Sequence, residues 1–219
     1  MYNYSMTVDE MYAAIAEQRP PVIYVSGKTS TGKSTFGRRL RDELGYRVIE
    51  LEAVLLEIVK THGFDEQSTF RKVLYESGEF KEKALFLEAT DKIIIDALNN
   101  DHPVVIEGAV ANAETLQRIL QPAKELFFLY FHPDNINVYI RNLTSRFMES
   151  SETSYGGLPS KFWQLIDVEE FKTFCQTRQL SDGLKNSIRQ YAQESQEESL
   201  VRLETFKEKF DNITVISIQ

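Results

Sequence analysis

Cysteine is almost missing from this sequence. The 219 residues hold one, Cys175, so no internal disulfide can form. A disulfide-stapled secreted scaffold is excluded, and a reducing cytosol is the expected compartment. Histidine is scarce too. His62, His102 and His132 are each isolated at a loop or helix end, without the spacing that metal ligands need. Long apolar runs are absent: the best, Leu126–Phe131 and Val104–Ile106, fall far short of the ~20 residues of a membrane span. The N-terminal stretch MYNYSMTVDEMYAAIAEQ has neither a basic n-region nor an apolar h-region, so it does not read as a secretory signal. Basic charge is also in deficit. There are 25 Lys and Arg against 33 Asp and Glu, a net charge of −8, which disfavours a role held mainly to nucleic-acid phosphates while leaving room for a locally basic pocket. No repeat or low-complexity tract is present.

What is there is ordinary globular composition, 42% hydrophobic and 26% charged, which excludes a disordered chain, a collagen or a coiled coil. The expectation is one soluble, cytoplasmic domain over residues 1–219, with neither nucleic acid nor membrane as partner. Its oligomeric state stays open, a homodimer included.

Thr7-Val8-Asp9-Glu10 has the form of a capping box and opens a helix to about Gln18, which Pro20-Pro21 ends. Val22–Val25 is a buried strand. Phe36, Leu40 and Leu44 then mark a helix closed by Gly45. Tyr46–Ile49, Pro103–Ile106, Leu126–Phe131 and Ile213–Ile218 give four more strands. Helices are expected over about 52–61, 66–77, 80–99 and 113–121. Another carries Ile136, Ile140, Leu143 and Phe147 on one face, with Asp134 as a candidate N-cap. A long polar helix fills about 184–210. Residues 149–182 are polar and contain Gly156-Gly157 and Pro159, the composition of a lid or insertion. Packing among Phe162, Trp163, Phe171 and Phe174 as a static insertion or an oligomer contact is the competing expectation for that segment. Strands alternating with helices imply a mainly parallel sheet covered on both faces, with ligands at the carboxyl ends of its strands.

Directly after the first strand comes Gly27-Lys28-Thr29-Ser30-Thr31-Gly32-Lys33-Ser34, which fits G-x-x-x-x-G-K-[ST] without a gap, in a strand–loop–helix setting. Glycines let the loop curl so that successive N–H groups face phosphate oxygens, and the helix N-terminus adds positive potential. The nucleotide-binding set is residues 27–35, ending in Thr35. Lys33 is placed to reach the β- and γ-phosphates and Ser34 to bind Mg²⁺.

Glu50 and Glu52 follow the second strand and Glu107 the third. All three belong to the same sheet edge as the loop. Glu107 has the setting of a metal-holding acid, while Glu50 or Glu52 could orient or deprotonate an acceptor hydroxyl. Arg141 and Arg146 sit on the helix after the fourth strand, where a planar, always-charged donor could stabilise the transferring phosphate. Five residues apart, they are ~140° apart around a helix, so one straight helix cannot aim both at one site. Arg146, nearer the expected lid, is favoured. Lys28, for phosphate, and Arg71, for the acceptor, are weaker candidates. Cys175 lacks any neighbour that would lower its pKa and reads as a small hydrophobe.

From Val25 to Glu57 the sequence resembles the opening of small P-loop kinases, with shikimate and gluconate kinases nearest in rhythm. The residues that carry this are Gly27-x4-Gly32-Lys33-Ser34-Thr35-x-Gly37-Arg38-x-Leu40, Leu44-Gly45 and Glu50-x-Glu52, although that family usually has aspartates at the last two positions. Val104-Val105-Ile106-Glu107-Gly108 is similar to the third strand of uridine and pantothenate kinases. The resemblance implies a P-loop NTPase three-layer α/β sandwich. Its five parallel strands would run in order 2-3-1-4-5, with a helical lid that brings arginines to the phosphate. It further implies ATP with Mg²⁺ as cofactors and a small-molecule acceptor. The expected function is an ATP-dependent kinase acting on a hydroxyl or nucleotide phosphate. Rival readings are a nucleotide-binding ATPase or switch working through a protein partner, and a toxin-like sugar-nucleotide kinase.

Overall fold

At the centre of a parallel sheet covered on both faces both sides of a strand are buried, so it reads as a near-continuous apolar run. Val22–Gly27 does so: all six residues are buried in the computed structural model. The structure describes residues 5–217 apart from 75, 77, 101, 109–111, 124 and 151–157. Its strands are β1 (Ser5–Met6), β2 (Val22–Gly27), β3 (Arg47–Glu50), β4 (Val104–Glu107), β5 (Leu126–His132) and β6 (Ile213–Ser217). All pairings are parallel, in the order β1-β6-β5-β2-β4-β3. The five strands read from the sequence therefore lie in order 2-3-1-4-5. A sixth, β1, adds to β6 at the edge. At two residues it is too short to show an apolar pattern.

The helices are α1 (Val8–Gln18), α2 (Lys33–Leu44), α3 (Leu51–His62), α4 (Glu66–Leu74), α5 (Lys81–Asn99), α6 (Ala113–Leu120), α7 (Ile136–Met148), α8 (Ser160–Trp163), α9 (Val168–Thr177) and α10 (Asp182–Lys207). Thr7 closes its capping box with Glu10. The N-cap of α7 is Asn135, not Asp134: its side chain accepts from the amides of Asn137 and Val138. Asp134 is taken up by the Ser217 hydroxyl and by His132 instead.

Strand alternation sorts the core into two layers. Ile23 and Val25 face a layer built from α1, α2, α7, α9 and the first half of α10, through Ile15, Phe36, Leu40, Tyr139, Phe147, Phe174 and Ile188. Val22 and Tyr24 face the other, built from α3, α5, α6 and the end of α10, through Leu55, Phe86, Leu116, Leu203 and Phe206. Helix α10 thus serves both layers. Its middle turn meets the end of β5, where the buried Ser199 Oγ lies 3.1 Å from the Tyr130 hydroxyl and 2.9 Å from His132 Nδ1.

The polar segment after α7 is built differently from its composition. Phe162 and Phe174 are fully buried. Phe147 gathers Phe162, Trp163, Phe171 and Phe174 with ring centroids 4.8–5.9 Å apart. Within the expected lid over 149–182, residues 158–182 are thus an aromatic outwork of the first layer. Residues 151–157, with the Gly156-Gly157 pair, lie outside the described residues.

Candidate active site

The carboxyl ends of β2, β3 and β4 meet at the phosphate loop. The loop turns on residues with positive φ: Gly27 at 135°, Ser30 at 64° and Gly32 at 94°. Gly27 is also packed against β5. A Cβ there would overlap the Phe131 carbonyl oxygen and lie 2.9 Å from Phe131 Cβ. Gly32 is the N-cap of α2 and leaves that helix end without a side-chain cap. The first amides of α2 therefore stay available to an external acceptor.

Lys33 Nζ donates to the Lys28 carbonyl at 2.7 Å. Removal from water pushes its ammonium down to about 8. Glu107 and Glu52 pull the other way, while the Arg146 and Arg202 charges reinforce the fall. The Ser34 hydroxyl donates to Glu107 Oε1 at 2.6 Å. Glu107 is only 7% exposed, and its Oε2 has no hydrogen-bond partner among the described residues. Burial raises its pKa, against the Ser34 hydrogen bond and the Lys33 charge, and the Glu50 and Glu52 charges add to the rise. A hydroxyl beside a buried carboxylate with one orphaned oxygen is a donor set that suits a hard divalent cation such as Mg²⁺. Gly37 leaves room beside it, since a Cβ there would stand 3.6 Å from that orphaned oxygen.

The two acids after β3 diverge. Glu50 stands in register with Glu107 across the β3–β4 pair, yet it is exposed and lines an outer groove with Val48, Ala53 and Ile93. Glu52, in the first turn of α3, is half-buried and acts electrostatically on both Lys33 and Glu107. Helix α7 is unbroken, and it separates the two arginines as its geometry demands. Arg146 lines a cleft of about 450 Å³ with Lys33, Ser34, Thr35 and Ser30, whereas Arg141 is exposed and lies outside that lining. Arg71 is exposed and pairs with Glu76 at 2.5 Å.

The remaining loop side chains mostly hold the loop itself. Thr31 Oγ1 donates to the Lys28 carbonyl at 2.7 Å, and Thr35 Oγ1 lies 3.4 Å from Arg38. The Lys28 side chain pairs with Glu198 at 2.6 Å. Sequence reasoning missed Arg38 and Asn142, which line the cleft, with Asn142 Nδ2 donating to the Ser30 carbonyl at 3.3 Å. A signal for Asn142 was available, since it lies four residues before Arg146 on the same helix face. For Glu198 and Arg202, on a polar helix far along the chain, there was none.

No protein-family model matches the chain, and neither does any curated protein. Among solved structures it is similar to a gluconokinase from Sinorhizobium meliloti, at 15% identity over 91% of this chain and 83% of that one, with a TM-score of 0.43. It is also similar to a sugar kinase from Janibacter, at 12% identity, 84% and 95% coverage and a TM-score of 0.45. A third is a shikimate kinase from Acinetobacter baumannii in complex with shikimate, at 16% identity, 90% and 99% coverage and a TM-score of 0.36. These neighbours are small-molecule kinases, the class that the opening of the sequence resembles.

Proposed function

We propose that the protein is an ATP- and Mg²⁺-dependent kinase that moves the γ-phosphoryl group to a small metabolite. The observation that carries this is the 2.6 Å contact of Ser34 with the half-orphaned Glu107 beside Lys33. A surface loop of glycine and serine has no use for a buried acid and a desolvated lysine at its base. ATP bound with Mg²⁺ supplies the activated phosphoryl group. Ser34 and Glu107 would hold the metal ion. Lys33 exchanges its contact with the Lys28 carbonyl for phosphate oxygens, and the loop amides share that charge. Arg146, on the cleft wall, adds a permanent cation there. Glu52 accepts the proton of the acceptor hydroxyl at its carboxylate, with Glu50 as the outer alternative. Helix α8 borders the loop through the Lys161–Glu198–Lys28 ion pairs and helps to exclude water from the transfer.

The test is ATP turnover by the purified chain, with and without a panel of nucleosides, nucleotides, sugars and hydroxy acids. Product formation that needs both Mg²⁺ and an added acceptor is expected. Hydrolysis indifferent to every acceptor points to a switch or ATPase, and no ATP binding at all refutes the reading.

A further inference from the structure

Both lysines of the phosphate loop are held at residue 28. The Lys28 carbonyl accepts from Lys33, and the Lys28 ammonium, on a side chain nine-tenths buried, reaches Glu198 Oε2 at 2.6 Å. Its partner comes from the other end of the chain. Glu198 sits on the middle turn of α10, which is fixed to the end of β5 on either side. There Gln196 Nε2 donates to the carbonyls of Pro133 at 2.6 Å and Asp134 at 3.0 Å, and Ser199 meets Tyr130 and His132. A carboxylate on so restrained a turn positions what it binds. The second oxygen of Glu198 accepts from Lys161 of α8, whose ammonium also lies 3.3 Å from Glu194. One carboxylate thus joins the loop to the helix that carries Trp163.

We propose that Glu198 is a positioning residue of the phosphate loop. It holds Lys28 at the loop rim as a second phosphate-binding cation and, through its other oxygen, ties α8 to the state of the loop. What the loop binds rests on the kinase reading above. The electrostatics agree. Burial lowers the Lys28 pKa, against the Glu198 hydrogen bond, and the nearby Arg202 charge lowers it further. Burial would raise the Glu198 carboxyl, yet hydrogen bonds from Lys161 and Lys28 hold it at about 2. Without Glu198, Lys28 would sit nine-tenths buried beside other cations with no counter-charge, a state that favours its neutral form or its escape from the rim. When phosphates arrive, Lys28 has a competing anion and turns toward it. Glu198 is then left to Lys161 alone, and Trp163, two residues along, feels the change.

The test uses the full chain, with E198Q and the charge-preserving E198D. Trp163 is the only tryptophan, so intrinsic fluorescence reports α8 directly. In the ligand-free protein, E198Q should speed hydrogen exchange of the amides of residues 28–33 and shift Trp163 emission, with little change in melting temperature. With ATP and Mg²⁺, E198Q should bind about tenfold more weakly, within the usual range of coupling between sites. It should also lose the emission change that binding causes in the native chain, and E198D should recover part of both. E198Q that binds like the native chain, with the native emission change, overturns the proposal even if the kinase reading stands. A native chain that binds no ATP refutes the kinase reading instead. Loop exchange then decides the clamp: faster exchange in E198Q supports it, and unchanged exchange overturns it.

Discussion

Taking an ammonium out of water makes its proton easier to lose, and Lys33, at about 8, stands close enough to neutrality for the effect to be measured. Phosphate oxygens favour the charged lysine and raise its pKa again. At pH 8.5 nucleotide binding should therefore take up a fraction of a proton, and at pH 6.5, where Lys33 is already charged, it should not. Calorimetry in two buffers of different ionisation enthalpy reads this, and Lys33→Met should abolish the difference. Equal proton balance at both pH values in the native chain would sink the idea. Glu107→Gln removes a buried charge at constant shape. Melting temperature should hold or rise, while turnover falls about a hundredfold and half-saturation by Mg²⁺ moves upward. A large loss of stability with normal turnover would make Glu107 structural. Lys33, Ser34 and Glu107 were legible in the sequence because each lies in or beside an apolar strand that ends in a recognisable turn. Helix rotation showed that Arg141 and Arg146 could not both face one site, and only nearness to the expected lid favoured Arg146. Glu198 was not, because its partner Lys28 is 170 residues away and nothing local marks an acid on a polar helix.

At the scale of elements, the β2–loop–α2 unit depends on one close approach. Gly27→Ala would force a Cβ onto the Phe131 backbone at a φ of 135°. It should cost about 3 kcal/mol or more, read by denaturant unfolding. Alanine tolerated there would mean that β5 does not pack on the loop as described. The aromatic outwork behaves as core, not as a loose flap. Phe147→Ala should cost about 3–5 kcal/mol, because the ring is fully buried among four others. The amides of α9 should be protected before any ligand is added, and fast exchange there in the empty protein would restore a mobile lid. Composition alone left lid and static insertion both open. Averaged over 149–182 the segment is polar, but Phe162, Trp163, Phe171 and Phe174 all meet Phe147, and an average does not carry direction. Most helices and strands were otherwise readable from the 3.6-residue period, short apolar runs and their glycine stops. The bounds of α8 and α9 were not read, and β1 escaped because it gains its identity from β6 and has none of its own.

For the molecule as a whole, the strand order was supplied by resemblance and not by spacing, since periodicity locates strands without pairing them. The structure supplies a reason for the length of α10. It contributes Ile188 and Tyr191 to one layer and Leu203 and Phe206 to the other, so a helix outside the loop must pass the site to reach both. The order of the sheet has a further consequence, in time. The central strand β2 is made early, yet its hydrogen-bonding neighbours begin only at Val104 and Leu126. While the chain is being synthesised, a strand destined for complete burial waits for partners not yet made. Pairings so distant in sequence make folding slow and leave unpaired strand edges open to aggregation. Chains halted before residue 126 should accumulate in the insoluble fraction, whereas the complete chain should refold slowly from denaturant. Chaperone dependence would then follow from strand order, independent of anything the site does.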